Sequence, residues 1–202
     1  MAETRTISAR KGSDPAEPAA KPRRTRITKR KALENHARGY FDAIAQRDVD
    51  AMLEYWSDEG VIDLVPLGIL RGRDEIRAFF TELFTAFPDF ETTVARVAAG
   101  QDEVAIEWRS HGHFTGGPFQ GVDPTGRLVE VRGVDILEVA DGKTVSNTAY
   151  YDGMAFARGA GLLPAQDSGA ERAIKGAVNA ATRVKRAVAD GRDALAQRRS
   201  AA

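Results

Sequence analysis

The chain contains no cysteine. Disulfides, thiolate metal sites and cysteine nucleophiles are therefore excluded, and the absence fits a reducing compartment. No apolar run approaches the ~18 residues of a membrane-spanning helix, and the N-terminus lacks the hydrophobic stretch of a secretory signal. A soluble, cytoplasmic protein is expected. Histidine is scarce as well, at 3 residues. His111 and His113 share one strand face near carboxylates, but two His at i and i+2 are an incomplete ligand set with no third His close in sequence, so no metal site is expected. His36 reads as a surface residue. No Gly-x-Ser-x-Gly occurs, and GGPFQG (residues 116–121) leads into no helix, so its glycines read as turn residues rather than a phosphate cradle.

A net charge of zero conceals a division along the chain. Residues 1–32 carry 10 Lys+Arg against 3 Asp+Glu, and residues 165–202 carry 8 against 4, while residues 33–164 hold a net −11. Two basic arms flank an acidic body. The run KPRRTRITKRK (residues 21–31) could touch nucleic acid or an anionic surface, but no aromatic residue interleaves the basic ones, which favours a solvated extension. Three segments result: a disordered basic N-terminal arm over residues 1–32, one domain over 33–164, and a basic, Ala-rich tail over 165–202 with a marginal helix.

Within the domain, Leu33, Ala37, Tyr40, Phe41 and Ile44 recur at helical spacing. Asp48 can cap a second, short helix with Met52, Leu53, Tyr55 and Trp56 on its apolar side, stopped by residues 57–60. Residues 61–70 read as a strand ending at a turn over 66–68. RGRDEIRAFFTELFTAF then gives a third helix with an aromatic stripe that includes Phe80 and Phe84, closed by Pro88. Strands follow over about 91–99, 103–114, 127–140 and 143–152, the last two joined by Asp141-Gly142, and a short terminal helix reaches Pro164. Helix, helix, strand, helix and four antiparallel strands is an α+β order, with three helices on the concave face of a cone-like curved sheet. Such a body encloses a pocket, lined here by Tyr40, Trp56, Phe80, Phe84, Trp108, Asp135 and Tyr151.

One of these residues is out of character with its strand. In LVEVRGVDILEVA, Val129, Val131, Gly133, Asp135, Leu137 and Val139 share a side, while Glu130, Arg132 and Glu138 face away. A carboxylate on that apolar side resists ionising, so its pKa rises toward neutrality, which is how a general acid or base is made. The plainer alternative is a buried Asp satisfied by backbone donors or by Arg109.

The order of elements together with WRSHGHFTGGPFQGVDPTGRLVEVRGVDILEVADGKTVSNTAYYD (residues 108–152) resembles the SnoaL-like branch of the nuclear transport factor 2-like superfamily, which includes polyketide and ester cyclases. The likeness spans roughly residues 33–164 and rests on His-x-x-Gly, Pro-Thr-Gly-Arg, Gly-x-Asp and Asp-Gly-Lys in succession. It implies a cone around a hydrophobic pocket, a homodimer through the outer sheet face, and activity without metal or organic cofactor. It also implies that Asp135, on the strand after the Pro-Thr-Gly-Arg turn, is the acid/base of an aldol closure or isomerisation on an apolar, carbonyl-containing substrate. The family often has Glu-His-Trp in the last strand where this chain has Ser146-Asn147-Thr148. Asn147 can hydrogen-bond but not titrate. Asn147 or His113 is expected to hold the substrate oxygen. Strand parity sets both His111 and His113 opposite Trp108, so a bulge near Gly112 is needed to turn one inward. The rival reading is a non-catalytic module of the same fold that binds an apolar ligand or a protein through its basic arms.

Overall fold

The structure, a computed structural model, describes the backbone of residues 23–65 and 67–200 and the side chains of residues 27–65 and 67–192. The elements run α1 (Arg23–Ala45), α2 (Val49–Leu53), β1 (Trp56–Val65), β2 (Gly68–Arg71), α3 (Gly72–Ala86), β3 (Glu91–Ala99), β4 (Glu103–His113), β5 (Leu128–Ala140), β6 (Lys143–Tyr151), α4 (Gly153–Gly159) and α5 (Gly169–Ser200). Most of the proposed basic arm lies outside the described residues. Helix α1 nevertheless starts ten residues earlier than the apolar spacing indicates, because the Lys/Arg run is a good helix former that needs no core contact to continue the turn.

Six strands form one curved sheet in the order β2-β1-β6-β5-β4-β3. From β3 to β6 every neighbour is antiparallel and consecutive, as alternating patterns joined by short turns require. Asp141 and Gly142, at φ 50° and 76°, make the tight β5–β6 connection, where two positive φ values match the strand twist. Strand β1 adds to β6 in parallel, and β2 pairs back on β1. Neither pairing is visible in local sequence. Strand β1 also begins at Trp56, so the second helix ends before the two aromatics assigned to it, and residues 57–60 are strand rather than stop.

Helices and sheet share a core in which Leu33, Ala37, Tyr40, Phe41 and Ile44 of α1 meet Met52, Leu53, Trp56, Ile62, Ile76, Val104, Ile106 and Leu137. A second cluster joins Phe87, Phe114, Phe119, Val129 and Ala160 at the other end. The loop after β4 is fastened to the end of α3, where the Gly116 and Gly117 amides donate to the Ala86 and Thr85 carbonyls at 3.0 and 3.2 Å. These bonds satisfy helix-end acceptors that would otherwise be bare. Beyond α4, an Arg158–Glu171 pair at 2.9 Å ties down the start of α5. Ile174, Val178, Val184 and Val188 along α5 are all exposed, so this helix runs continuous but outside the core.

Candidate functional site

Asp135 is 6% exposed, and both of its carboxylate oxygens accept hydrogen bonds. The Trp108 Nε1–H donates to Oδ1 and the Asn147 Nδ2–H to Oδ2, each at 2.7 Å. The register explains how these donors converge. Trp108 on β4 stands opposite Gly133 on β5, so the indole lies across a residue with no side chain and its N–H reaches Asp135 two residues on. From the other side, Asn147 on β6 stands opposite Leu137, two residues beyond Asp135 on the same face. Arg109 is not a partner, since strand parity sends it to the outer surface.

Burial pushes the Asp135 carboxyl up from its ordinary 3.8 to about 6, with the Asn147 and Trp108 hydrogen bonds pulling the other way. Desolvation wins because neither donor carries a full charge. The folded chain therefore holds this proton more tightly than the unfolded chain does, and stability falls as pH rises from about 4 to above 6. We expect this one group to lower stability across that window by about 3 kcal/mol. Urea unfolding at both ends of the window checks it, read as the difference between the wild type and Asp135→Asn so that other carboxylates cancel. Parallel pH dependence in the two proteins would show that Asp135 ionises as freely in the fold as out of it.

Asp135 opens onto a pocket of about 140 Å³, walled by Phe79, Phe80, Leu83 and Phe87 of α3, Trp108 and Ser110 of β4, Val129 and Val131 of β5, Ala149 and Tyr151 of β6, and Phe156 of α4. An apolar cavity of about that size admits one six-membered ring. The pocket is open on one side, so the remainder of a larger ligand can extend outward.

Of the residues expected to line the pocket, Phe80, Trp108, Asp135 and Tyr151 do so. The others are placed elsewhere. Tyr40 and Trp56 are each 1% exposed and belong to the core beneath, where their rings meet at 5.9 Å. Phe84 packs behind the wall between Phe80 and Phe90. Asn147, 2% exposed, supports Asp135 from below instead of facing a ligand. His113 points away, because β4 and β5 pair without interruption from Glu103 to His113 and no bulge turns it inward. Its Nδ1 meets Asp89 Oδ2 at 2.6 Å, a hydrogen bond that holds the Asp89 carboxyl below its ordinary value. His111, two residues earlier, shares that outward parity; it borders the pocket rim, and its exposed ring lies toward Glu91, with Nε2 3.5 Å from Oε2. His36 is half-buried rather than on the surface; its Nε2 lies 2.8 Å from Thr144 Oγ1, and burial, followed by Lys143, lowers its pKa.

Sequence reasoning puts Phe79 and Phe87 on the aromatic stripe of the third helix without assigning them to the pocket, and misses Phe119 and Phe156; the rings of Phe79, Phe87 and Phe156 each meet Phe119, at 5.8 to 5.9 Å, along one side of the pocket. A signal was present for Phe119. A large aromatic in a Gly-rich loop has no reason to be there unless it is buried, and Phe119 is 4% exposed.

No curated protein matches the chain. Among solved structures, a candidate SnoaL-like polyketide cyclase from Jannaschia sp. CCS1 superposes with a TM-score of 0.61 at 24% identity, covering 76% of this chain and all of that one. IdmH from Streptomyces antibioticus, described as a candidate polyketide cyclase, gives 0.54 at 26% identity over 63% of this chain and 96% of its own. An LEH-like epoxide hydrolase from M. tuberculosis shares the fold at TM-score 0.52 and 18% identity, over 64% of this chain and 90% of that one. The family model for SnoaL-like polyketide cyclases matches residues 34–159, the stretch that builds both sheet and pocket, and the chain belongs to that family.

Proposed function

We propose that this chain is a small-molecule enzyme in which Asp135 moves a proton to or from carbon next to a carbonyl, in an aldol cyclisation or an isomerisation of an apolar substrate. The observation that carries the reading is a carboxyl group buried against an apolar pocket and poised at about 6, close to the pH at which a proton must be both taken and returned. Ionised Asp135 removes the proton from carbon and the carbonyl oxygen gains the negative charge; in an aldol closure the enolate carbon then bonds to a second carbonyl carbon, whose C=O π pair becomes an alkoxide that takes the proton back from Asp135, and in an isomerisation the proton returns to a different carbon. Asn147 and His113 are not positioned to receive the developing charge. Thr92, Ser110 and Tyr151 bring hydroxyls to the pocket, the first two 2.8 Å from each other, and burial raises the Tyr151 pKa, so its hydroxyl stays protonated as a donor requires.

A screen of ring-forming and enolisable carbonyl compounds, followed as a function of pH, tests the reading. With Asp135 acting as base, kcat/KM should rise with pH through about 6 and level off above it. A flat profile across that range in a turning-over enzyme would move the proton transfer to another group.

A further inference from the structure

Asp135 can be neutral only if its new O–H finds an acceptor, and the groups already bonded to it are poor candidates. Trp108 Nε1 is a donor under all conditions, and Asn147 presents its Nδ2–H to Oδ2. A proton added to Oδ2 would face that N–H, hydrogen against hydrogen. Yet Asn147 holds an acceptor in reserve: its Oδ1 is fully buried and has no hydrogen-bond partner. The Tyr40 hydroxyl and the Trp56 Nε1–H are buried against each other in the core under Asp135. Tyr40 is close enough to Asp135 for the carboxylate charge to act on its hydroxyl.

We propose that the Asn147 side-chain amide is a two-position support that rotates by about half a turn when Asp135 changes protonation state. With Asp135 ionised, Nδ2 donates to Oδ2, as the structure shows. With Asp135 neutral, Oδ1 takes that place and accepts the carboxylic O–H, while Nδ2 moves to the position that Oδ1 held. No bond other than hydrogen bonds is made or broken. The rotation is a terminal torsion with a broad, two-fold profile, so both positions are accessible without strain. An amide offers donor and acceptor at the same reach, which is what a group serving both forms of a buried acid needs. Asn147 is in this sense a positioning residue: it acts on the proton through Asp135 and does not touch the ligand.

The titratable groups facing Asp135 bound the effect. They are Tyr40 from α1 and, across the pocket, Tyr151 on β6, with the outward-facing His111 of β4 only at the rim; α3, α4 and β1 line the pocket with Phe and Leu side chains alone among the described residues. The rotation does not depend on Asp135 being catalytic, so a failed substrate screen leaves it standing.

The test is NMR on the full-length chain, following the Asp135 carboxyl carbon and the Asn147 side-chain amide through the same titration. Above the Asp135 midpoint, the Asn147 amide protons should show a cross-relaxation peak to Trp108 Hε1, since both donors sit on one carboxylate. Below the midpoint that peak should vanish, with the same pH dependence as the carboxyl carbon. A peak that persists throughout would mean that the amide stays put and the Asp135 proton turns into the pocket, which overturns the proposal. Asn147→Leu gives a second reading. If the amide serves both forms equally, its loss moves the Asp135 midpoint by less than about half a pH unit. If it serves only the anion, the midpoint climbs by a full unit or more, and the two-position support is refuted.

Discussion

Asp135→Asn should cut kcat by about 10²- to 10⁴-fold, the range that removing a positioned general acid or base produces. The pocket should keep its shape and its affinity for an apolar ligand. The reason lies in the hydrogen bonds around the site. Asp135 accepts from two donors, so an amide in its place brings one of its own N–H groups against a donor. Asn147 can absorb that conflict by turning its unpaired Oδ1 to accept, leaving Trp108 bonded to the remaining carbonyl oxygen. The variant should therefore fold, and turnover is what it loses. Steady-state kinetics and ligand titration on both proteins separate the two effects. If the variant retains wild-type turnover, Asp135 is a structural carboxylate, and the protein is better described as a binding module of this fold.

Gly133→Ala should destabilise the protein by about 3 kcal/mol, at the upper end of what overpacking costs. A Cβ at this position would lie 2.5 Å from Trp108 Cζ2 and 2.5 Å from the Tyr150 backbone oxygen. The oxygen belongs to the adjacent strand and cannot retreat. Relief must come from the indole, which then withdraws its N–H from Asp135. The substitution consequently couples stability to the site: the thermal midpoint should drop by about 8 °C, and the Asp135 carboxyl, with one donor fewer for its anion, should titrate higher still. Differential scanning calorimetry and carboxyl titration read the two halves. A midpoint within 2 °C of wild type would show that the indole relocates freely and that Gly133 is not what seats it.

Much of this architecture is legible in the sequence wherever the deciding interactions are local. The face of β5 that carries Asp135 follows from two-residue alternation, and the β5–β6 turn follows from Asp141-Gly142. The aromatic stripe of α3 follows from helical spacing. Non-local pairings are not encoded that way. Nothing near Trp56 announces that it opens a strand, because what extends β1 is the distant β6, aligned from Trp56 opposite Thr144 to Val65 opposite Tyr150. The same limit applies to the site. The apolar character of the pocket and the lone carboxylate on its wall can be read from sequence, but the depth at which a side chain ends cannot. Tyr40, Trp56 and Asn147 face the interior as expected and yet stop below the cavity, because α1 packs them into the sheet instead of over its mouth. His113 shows the opposite case. Parity alone sets it outside, and the register confirms that placement.

The parallel union of β1 with β6 has a consequence for how the chain acquires its structure. Ile62 pairs with Asn147, so the first strand has no inner neighbour until nearly the whole domain has been synthesised. Such a contact closes a long loop and is slow to form, because the entropy of closure is lost before the pairing repays it. On the ribosome, the inner edge of the β1–β2 hairpin stays bare while β3, β4 and β5 form their meander and pack against α1. The strand that carries Asn147 is then the one that joins the two halves, so the element completing the sheet is also the one that places the second donor on Asp135.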